Sequence, residues 1–178
     1  MKKHVWLKIS AYTIAIAILV VAVCSYFSDY QNAKKYYHLG GDNPALFLAI
    51  AKTESGFCET AISNKGATGL CQLMPKTAQW CANQMGITYD QNMLLTAEYN
   101  ASLAVFYINY LSNKFEDENA VICAYNAGEG NVSAWLKDEK IYDGTFVAIP
   151  FEETKNYLQK VAKNQKKFQS YIWLFGWE

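Results

Sequence analysis

A glutamate at position 54 occupies a place where a core residue would be expected. In the segment PALFLAIAKTES, Phe47, Ile50 and Glu54 are spaced i, i+3, i+7, so on a helix the three share one stripe. Lys52 lies about 200° from Ile50, toward solvent. A carboxyl on the apolar stripe is partly desolvated, and near the C-terminus of its helix it also meets the negative end of the helix dipole. Both effects disfavour the charged form and raise the pKa. A carboxylic acid that keeps its proton near neutral pH is what general-acid catalysis needs, and glycoside cleavage is the common reaction that uses one. The plainer alternative is an exposed helix-end residue with an ordinary titration.

Two further segments carry groups suited to a sugar-binding groove. Ser63 to Pro75, SNKGATGLCQLMP, combines glycines that permit close backbone approach with Gln72, whose amide can both donate and accept hydrogen bonds. Read plainly, it is a hairpin whose glycines serve turns. Ala124 to Val132, AYNAGEGNV, places Tyr125 and Asn126 at a helix end, offering a flat ring and an amide. Its glycines make a poor dinucleotide fingerprint, because no strand precedes them and the spacing is wrong.

What the chain lacks narrows the chemistry. All 16 basic residues are lysine, so arginine clamps on phosphate are absent, and 16 acids balance them to zero net charge. Nucleic-acid binding therefore has little electrostatic support. The two histidines, His4 and His38, lie outside the segments above, which removes Ser-His-Asp and Cys-His mechanisms and the usual histidine-ligated zinc sites. No metal or cofactor site is expected. Cys58, Cys71, Cys81 and Cys123 would permit two disulfides in any of three pairings, although Cys81 and Cys123 fall within helices and read equally well as buried free thiols.

The elements that must position these groups are mainly helical. At 178 residues the chain has room for one compact domain and a tail. Asn43-Pro44 opens a helix that stops at Gly56, and a second follows Pro75 and stops at Gly86. A third, from Thr96 to Phe115, places Leu103, Phe106, Tyr107, Tyr110 and Leu111 on one face. Shorter helices are expected over Glu118 to Asn126 and Asn131 to Lys137, and a longer one from about Phe151 to Tyr171. Ile62 to Met74 has room for a small extended hairpin at most. The expected class is mainly α (α+β).

Ahead of this domain, Ile9 to Phe27 is a run of nineteen uncharged residues, about 28 Å long as a helix, preceded by the lysine-bearing MKKHVWLK. The expectation is a cytoplasmic tail (1–8), a single-pass membrane anchor (9–27), a polar stalk (28–41) and an extracytoplasmic domain (42–173). The alternative for the apolar run is a cleaved signal peptide, to which Ala22-Val23-Cys24 bears a loose likeness.

Taken in order, the ES pair at Glu54-Ser55, the GLCQLMP stretch, AYNAG and IPFEETKNYL resemble the soluble lytic transglycosylase family, whose catalytic domain is similar to goose-type lysozyme. The likeness covers roughly Asp42 to Tyr171. It implies a lysozyme-like fold and cleavage of the β-1,4 bond between N-acetylmuramic acid and N-acetylglucosamine in peptidoglycan, without water, leaving 1,6-anhydromuramic ends. It also implies that Glu54 is the sole catalytic acid, that Ser63, Gln72, Met74, Tyr125 and Asn126 line the groove, and that Glu153 supports it. The implied partners are peptidoglycan strands and, through the N-terminal helix, a bacterial cell membrane; architecture alone further raises service to an envelope-spanning assembly. Two residues depart from the pattern: Cys71 stands where methionine is usual, offering a thiol to the groove, and Lys155 stands where arginine is usual. Competing readings are a muramidase that hydrolyses the same bond, for which Glu59 is the nearest second carboxylate in sequence, and an inactive peptidoglycan-binding scaffold.

Overall fold

The structure is a computed structural model that describes the backbone of residues 2–177 and the side chains of residues 12–177. The side chains of the expected cytoplasmic tail, 1–8, lie outside the described residues. The chain divides into two compact units, Met1–Lys35 and Tyr36–Glu178.

The first unit consists of helix α1, Lys2–Tyr36, as far as Lys35. It contains a stretch long and apolar enough to cross a membrane, with Ile14, Ile16, Ile18, Leu19, Val20 and Val21 all exposed. A helix apolar all round and unburied by protein is a membrane-span candidate. The helix runs on through Ser28 to Tyr36, and the glycine pair Gly40-Gly41 then ends a short 3₁₀ turn at Tyr37–Leu39.

The second unit is built of helices, as the sequence signals require: α2 (Pro44–Ser55), α3 (Pro75–Met85), α4 (Ala97–Lys114), α5 (Glu118–Ala127), α6 (Glu129–Trp135) and α7 (Glu152–Phe175). Asn43 caps α2, its side chain accepting from Leu46 N, and Gly56 and Gly86 end α2 and α3 in the left-handed region. The short helix expected over Asn131 to Lys137 starts two residues earlier, at Glu129, since Gly128 lets the chain turn straight out of α5.

α2 is the central helix, with Ala45 to Ala51 all buried. Its main partner is α7, whose Val161, Phe168 and Tyr171 are buried. A second cluster gathers Leu111, Phe115, Val121, Ala124, Val132 and Trp135 from α4, α5 and α6. The face of α4 differs from expectation. Leu103 and Leu111 are buried, but with Asn100, Ala101, Ala104 and Ile108, whereas Phe106, Tyr107 and Tyr110 are half-buried and gather around Trp80. Of the expected hairpin, isolated antiparallel bridges remain, Ile62 with Thr68 and Thr68 with Leu73, and the described residues contain no strand.

Candidate functional site

The site forms where the end of α2, the 61–74 loop, the end of α5 and the start of α7 meet. Glu54, Ser63, Gln72, Met74, Tyr125, Asn126 and Glu153 line one groove there, of about 490 Å³. Helix periodicity aims Glu54 inward, and the rest of the groove is built by loops and helix ends.

Glu54 is half-buried. Desolvation pushes its pKa up to about 7, the nearby Glu153 carboxylate adds to the rise, and the Tyr157 hydroxyl opposes it. Tyr157 belongs to α7 and is 7% exposed, and its hydroxyl lies against the Glu54 carboxyl at a geometry short of a well-formed hydrogen bond. Sequence reasoning missed Tyr157. It lies in the IPFEETKNYL segment four residues after Glu153, one turn along α7, and that spacing was the available signal.

The loop opposite is held by backbone bonds from three sides. Ser55 donates to Leu70 O at 2.7 Å and accepts from Cys58 N at 3.0 Å, tying the loop to the end of α2. Asn100, fully buried on α4, accepts from Cys71 N at 2.8 Å and donates to Thr68 O and Leu94 O at 2.9 and 3.0 Å. Tyr125 donates to Cys71 O at 2.9 Å. The peptide groups around Cys71 are thus fixed on both faces, and Gln72 follows with φ 48°, in the left-handed region. Gln72 Nε2 donates to Ala61 O and Gly69 O, so its side chain braces the loop. Gly69, at φ 82°, has no room for a Cβ, which would sit 2.1 Å from Leu94 O and 2.2 Å from Asn100 Nδ2.

Ser63 closes the turn at the groove's far edge, its hydroxyl accepting from Ala67 N at 2.9 Å. Met74, 44% exposed, is the N-cap residue of α3 and lines the groove. Asn126 Oδ1 accepts from Thr154 at 2.7 Å, so the amide offers Nδ2 as a donor. Glu153 is exposed on the first turn of α7.

The groove does not gather every candidate. Glu59 accepts a hydrogen bond from the Tyr36 hydroxyl and is not among the groove's lining residues. The Cys71 side chain is fully buried, so it does not offer its thiol to the groove, and burial pushes that thiol's pKa well up. No disulfide forms among Cys58, Cys71, Cys81 and Cys123; all are free, the last three buried. Lys155 makes an exposed ion pair with Glu152 at 3.6 Å, away from Glu54.

The family model described as "Transglycosylase SLT domain" matches residues 31–145. The chain belongs to this family. The SLT chain is 34% identical over 139 residues to the soluble lytic murein transglycosylase of Escherichia coli K12, covering 74% of this chain and 22% of that protein. It is 29% identical over 169 residues to the membrane-bound lytic murein transglycosylase C of Edwardsiella ictaluri, covering 81% of this chain and 46% of that one. Among solved structures, it is similar to an inactive glutamate-to-glutamine mutant of the lytic transglycosylase Slt of Pseudomonas aeruginosa, with a TM-score of 0.66, 30% identity, and 82% of this chain and 24% of that chain covered. It is also similar to the 70-kDa soluble lytic transglycosylase in complex with bulgecin A, with a TM-score of 0.70, 30% identity, and 80% and 24% coverage. The chain thus spans less than half the length of these relatives. Glu153 and Tyr157 lie beyond the matched SLT segment.

Proposed function

We propose that the protein is a membrane-anchored lytic transglycosylase that cleaves the N-acetylmuramic acid–β-1,4–N-acetylglucosamine bond of peptidoglycan and leaves 1,6-anhydromuramic ends. The observation that carries this reading is Glu54: a half-buried carboxyl, with a pKa of about 7, facing a polar groove in a chain of the SLT family.

Glu54 protonates the departing glycosidic oxygen. The substrate's own N-acetyl group stabilises the positive charge developing at the anomeric carbon, in the place of a second carboxylate. The Tyr125 hydroxyl donates its hydrogen bond to Cys71 O, so its oxygen keeps lone pairs to accept from the N–H of that acetamido group, and Asn126 Nδ2 donates to the sugar. Glu54, now a carboxylate, takes the proton of the C6 hydroxyl as that oxygen closes on the anomeric carbon. One residue serves as acid and then base, and the nucleophile belongs to the same sugar, so proximity favours ring closure wherever water is kept out. Ser63, Gln72 and Met74 form the wall that shapes the groove, and Glu153 helps hold the proton on Glu54. The muramidase reading loses its sequence candidate, since Glu59 is engaged by Tyr36. Anchoring through the 9–27 segment keeps this chemistry on the outer face of the membrane, and the name of the Edwardsiella relative supports membrane association.

The test is mass spectrometry of muropeptides released from insoluble peptidoglycan by the full-length chain in detergent and by its Glu54→Gln variant. The expected products are anhydro ends, lighter than reducing ends by one water, from the parent and none from the variant. Reducing ends would establish a hydrolase, and retention on the wall without release would establish a scaffold. Carbonate extraction of membranes tests the anchor separately: the protein is expected in the pellet, and a soluble protein would exclude the span.

A further inference from the structure

Helix α7 ends in a group of large apolar side chains that the chemistry above does not use. Trp173, Leu174 and Phe175 are 81%, 59% and 47% exposed on its last turn, whereas Tyr157, Val161, Phe168 and Tyr171 of the same helix are buried. Single exposed apolar residues are ordinary, but three in a row make a patch of the kind that marks a contact surface. A cavity of about 430 Å³ opens beside them, between Ile172 and Trp173 of α7 and Pro44 and Ala45 at the start of α2.

Position and composition together say what covers the patch. Trp177, just past the helix end, packs on Tyr37 with ring centroids 5.4 Å apart and stacks on Phe175 at 6.1 Å. Tyr37 is the second residue of its unit, and ten residues, about 15 Å as a helix, separate it from Phe27 at the end of the uncharged run. The end of α7 is therefore held at the place where the chain enters the domain from its apolar segment. A bilayer crossed by the 9–27 segment lies within reach of that place, whatever else the envelope contains. Tryptophan suits the interfacial layer of a bilayer, where its ring meets hydrocarbon and its N–H meets water and headgroups. The charge agrees: Lys160 to Trp177 holds four lysines and no acid. Lys166 and Lys167 precede Trp173 and Leu174 by seven residues each, two turns back on the same faces of the helix. Ammonium groups about 10 Å behind an apolar tip meet anionic headgroups once the tip is inserted.

We propose that the end of α7 is a second membrane contact, with Trp173, Leu174 and Phe175 seated in the interfacial layer of a phospholipid bilayer and Lys166 and Lys167 among its anionic headgroups. The inference rests on the anchored reading of the 9–27 segment. It turns a flexible tether into a two-point attachment. Tyr157, which meets Glu54, is sixteen residues from Trp173, so about 24 Å of α7 separates the groove from the lipid and sets the layer of wall within its reach.

Fluorescence in vesicles tests it. The full-length chain and its Trp173→Phe variant are reconstituted into vesicles of phosphatidylcholine and phosphatidylglycerol, with or without bromine on the acyl chains of the phosphatidylcholine, which quenches tryptophan on contact. Position 173 is exposed and phenylalanine keeps a ring there, so the fold survives the exchange. Flotation first separates vesicle-bound from free protein. In the floated fraction the parent is expected to lose more emission to brominated lipid than Trp173→Phe does, by the share of one of its five tryptophans. The double variant Lys166→Glu, Lys167→Glu is expected to shrink that excess. Equal losses in the parent and Trp173→Phe overturn the proposal, and an excess unmoved by the double variant overturns the role given to the headgroups. A Trp173 signal untouched by brominated lipid yet shielded from aqueous iodide would mean that a second copy of the chain covers the patch, and overturns the proposal equally. A chain that does not float overturns the anchor and this contact together, whereas a floated chain without Trp173 quenching fails the contact alone.

Discussion

In the proposed mechanism Glu54 carries a cost as well as a function. Its pKa is raised on folding, so the folded state holds that proton more tightly than the unfolded chain does. The contribution to stability is present below the ordinary carboxyl range and is lost as pH rises from there through about 7. Glu54→Gln removes the penalty, and the variant is expected to exceed the parent in stability at pH 8 by up to about 3 kcal/mol, and to match it near pH 4. Urea denaturation at the two pH values checks this, and a variant less stable at pH 8 would contradict it. On that mechanism the same titration is expected to set activity, with kcat/KM falling above about pH 7 as the acid loses its proton. Tyr157 lowers the Glu54 pKa, so Tyr157→Phe is expected to move that alkaline limb upward, and a pH–rate profile with an unmoved limb would deny Tyr157 its role. Glu54 was legible in the sequence because a helix has a fixed period and a carboxyl on the wrong stripe stands out. Tyr157 was not, because a tyrosine on the buried face of an amphipathic helix looks like any other core aromatic until the helix that faces it is known.

At the scale of elements, the groove depends on a loop with almost no regular structure, and Asn100 supplies what a sheet would otherwise supply. Its amide makes three buried hydrogen bonds to the backbone of Thr68, Cys71 and Leu94. Asn100→Leu keeps the volume and strands those groups, at an expected loss of about 3 kcal/mol or more, summed from the usual cost per unsatisfied buried group. Gly69→Ala attacks the same joint from the other side, forcing a methyl group against Leu94 O and Asn100. Thermal melts of the two variants are expected to show large losses of comparable size, and a combined variant is expected to lose less than their sum, since they break one contact. The helices themselves were readable from caps, prolines and glycine stops. The loop's anchor was not, for an asparagine inside an apolar helix pattern gives no hint of which distant backbone it will meet, and the flank of α4 that holds Tyr107 and Tyr110 could not be told from its core face without α3 in place.

At the scale of the molecule, composition marks the apolar run but says little of the packing of Tyr36 and Tyr37, between it and Asp42. That polar, tyrosine-rich segment reads as a stalk, yet Tyr36 is 3% exposed, stacked on Phe57 with centroids 5.9 Å apart and bonded to Glu59. Tyr37 packs against Trp177, joining the start of the unit to its end. A chain cut at Asp42 loses both tyrosines and uncovers Phe57. It is expected to be less stable than one beginning before Tyr36 by about 2–4 kcal/mol, from the apolar area re-exposed, and denaturant midpoints of the two fragments check this. The thiols offer a different use. Cys71, Cys81 and Cys123 are sealed in the interior and Cys24 belongs to the apolar helix, so Cys58 is the one exposed thiol among the described residues of the second unit, four residues along from the acid. In the membrane-anchored protein proposed above, a charged, membrane-impermeant maleimide dye would therefore attach at Cys58, just past the end of the helix that carries Glu54. The natural chain is already built as its own fluorescent reporter, ready to follow glycan arrival and departure with no residue exchanged.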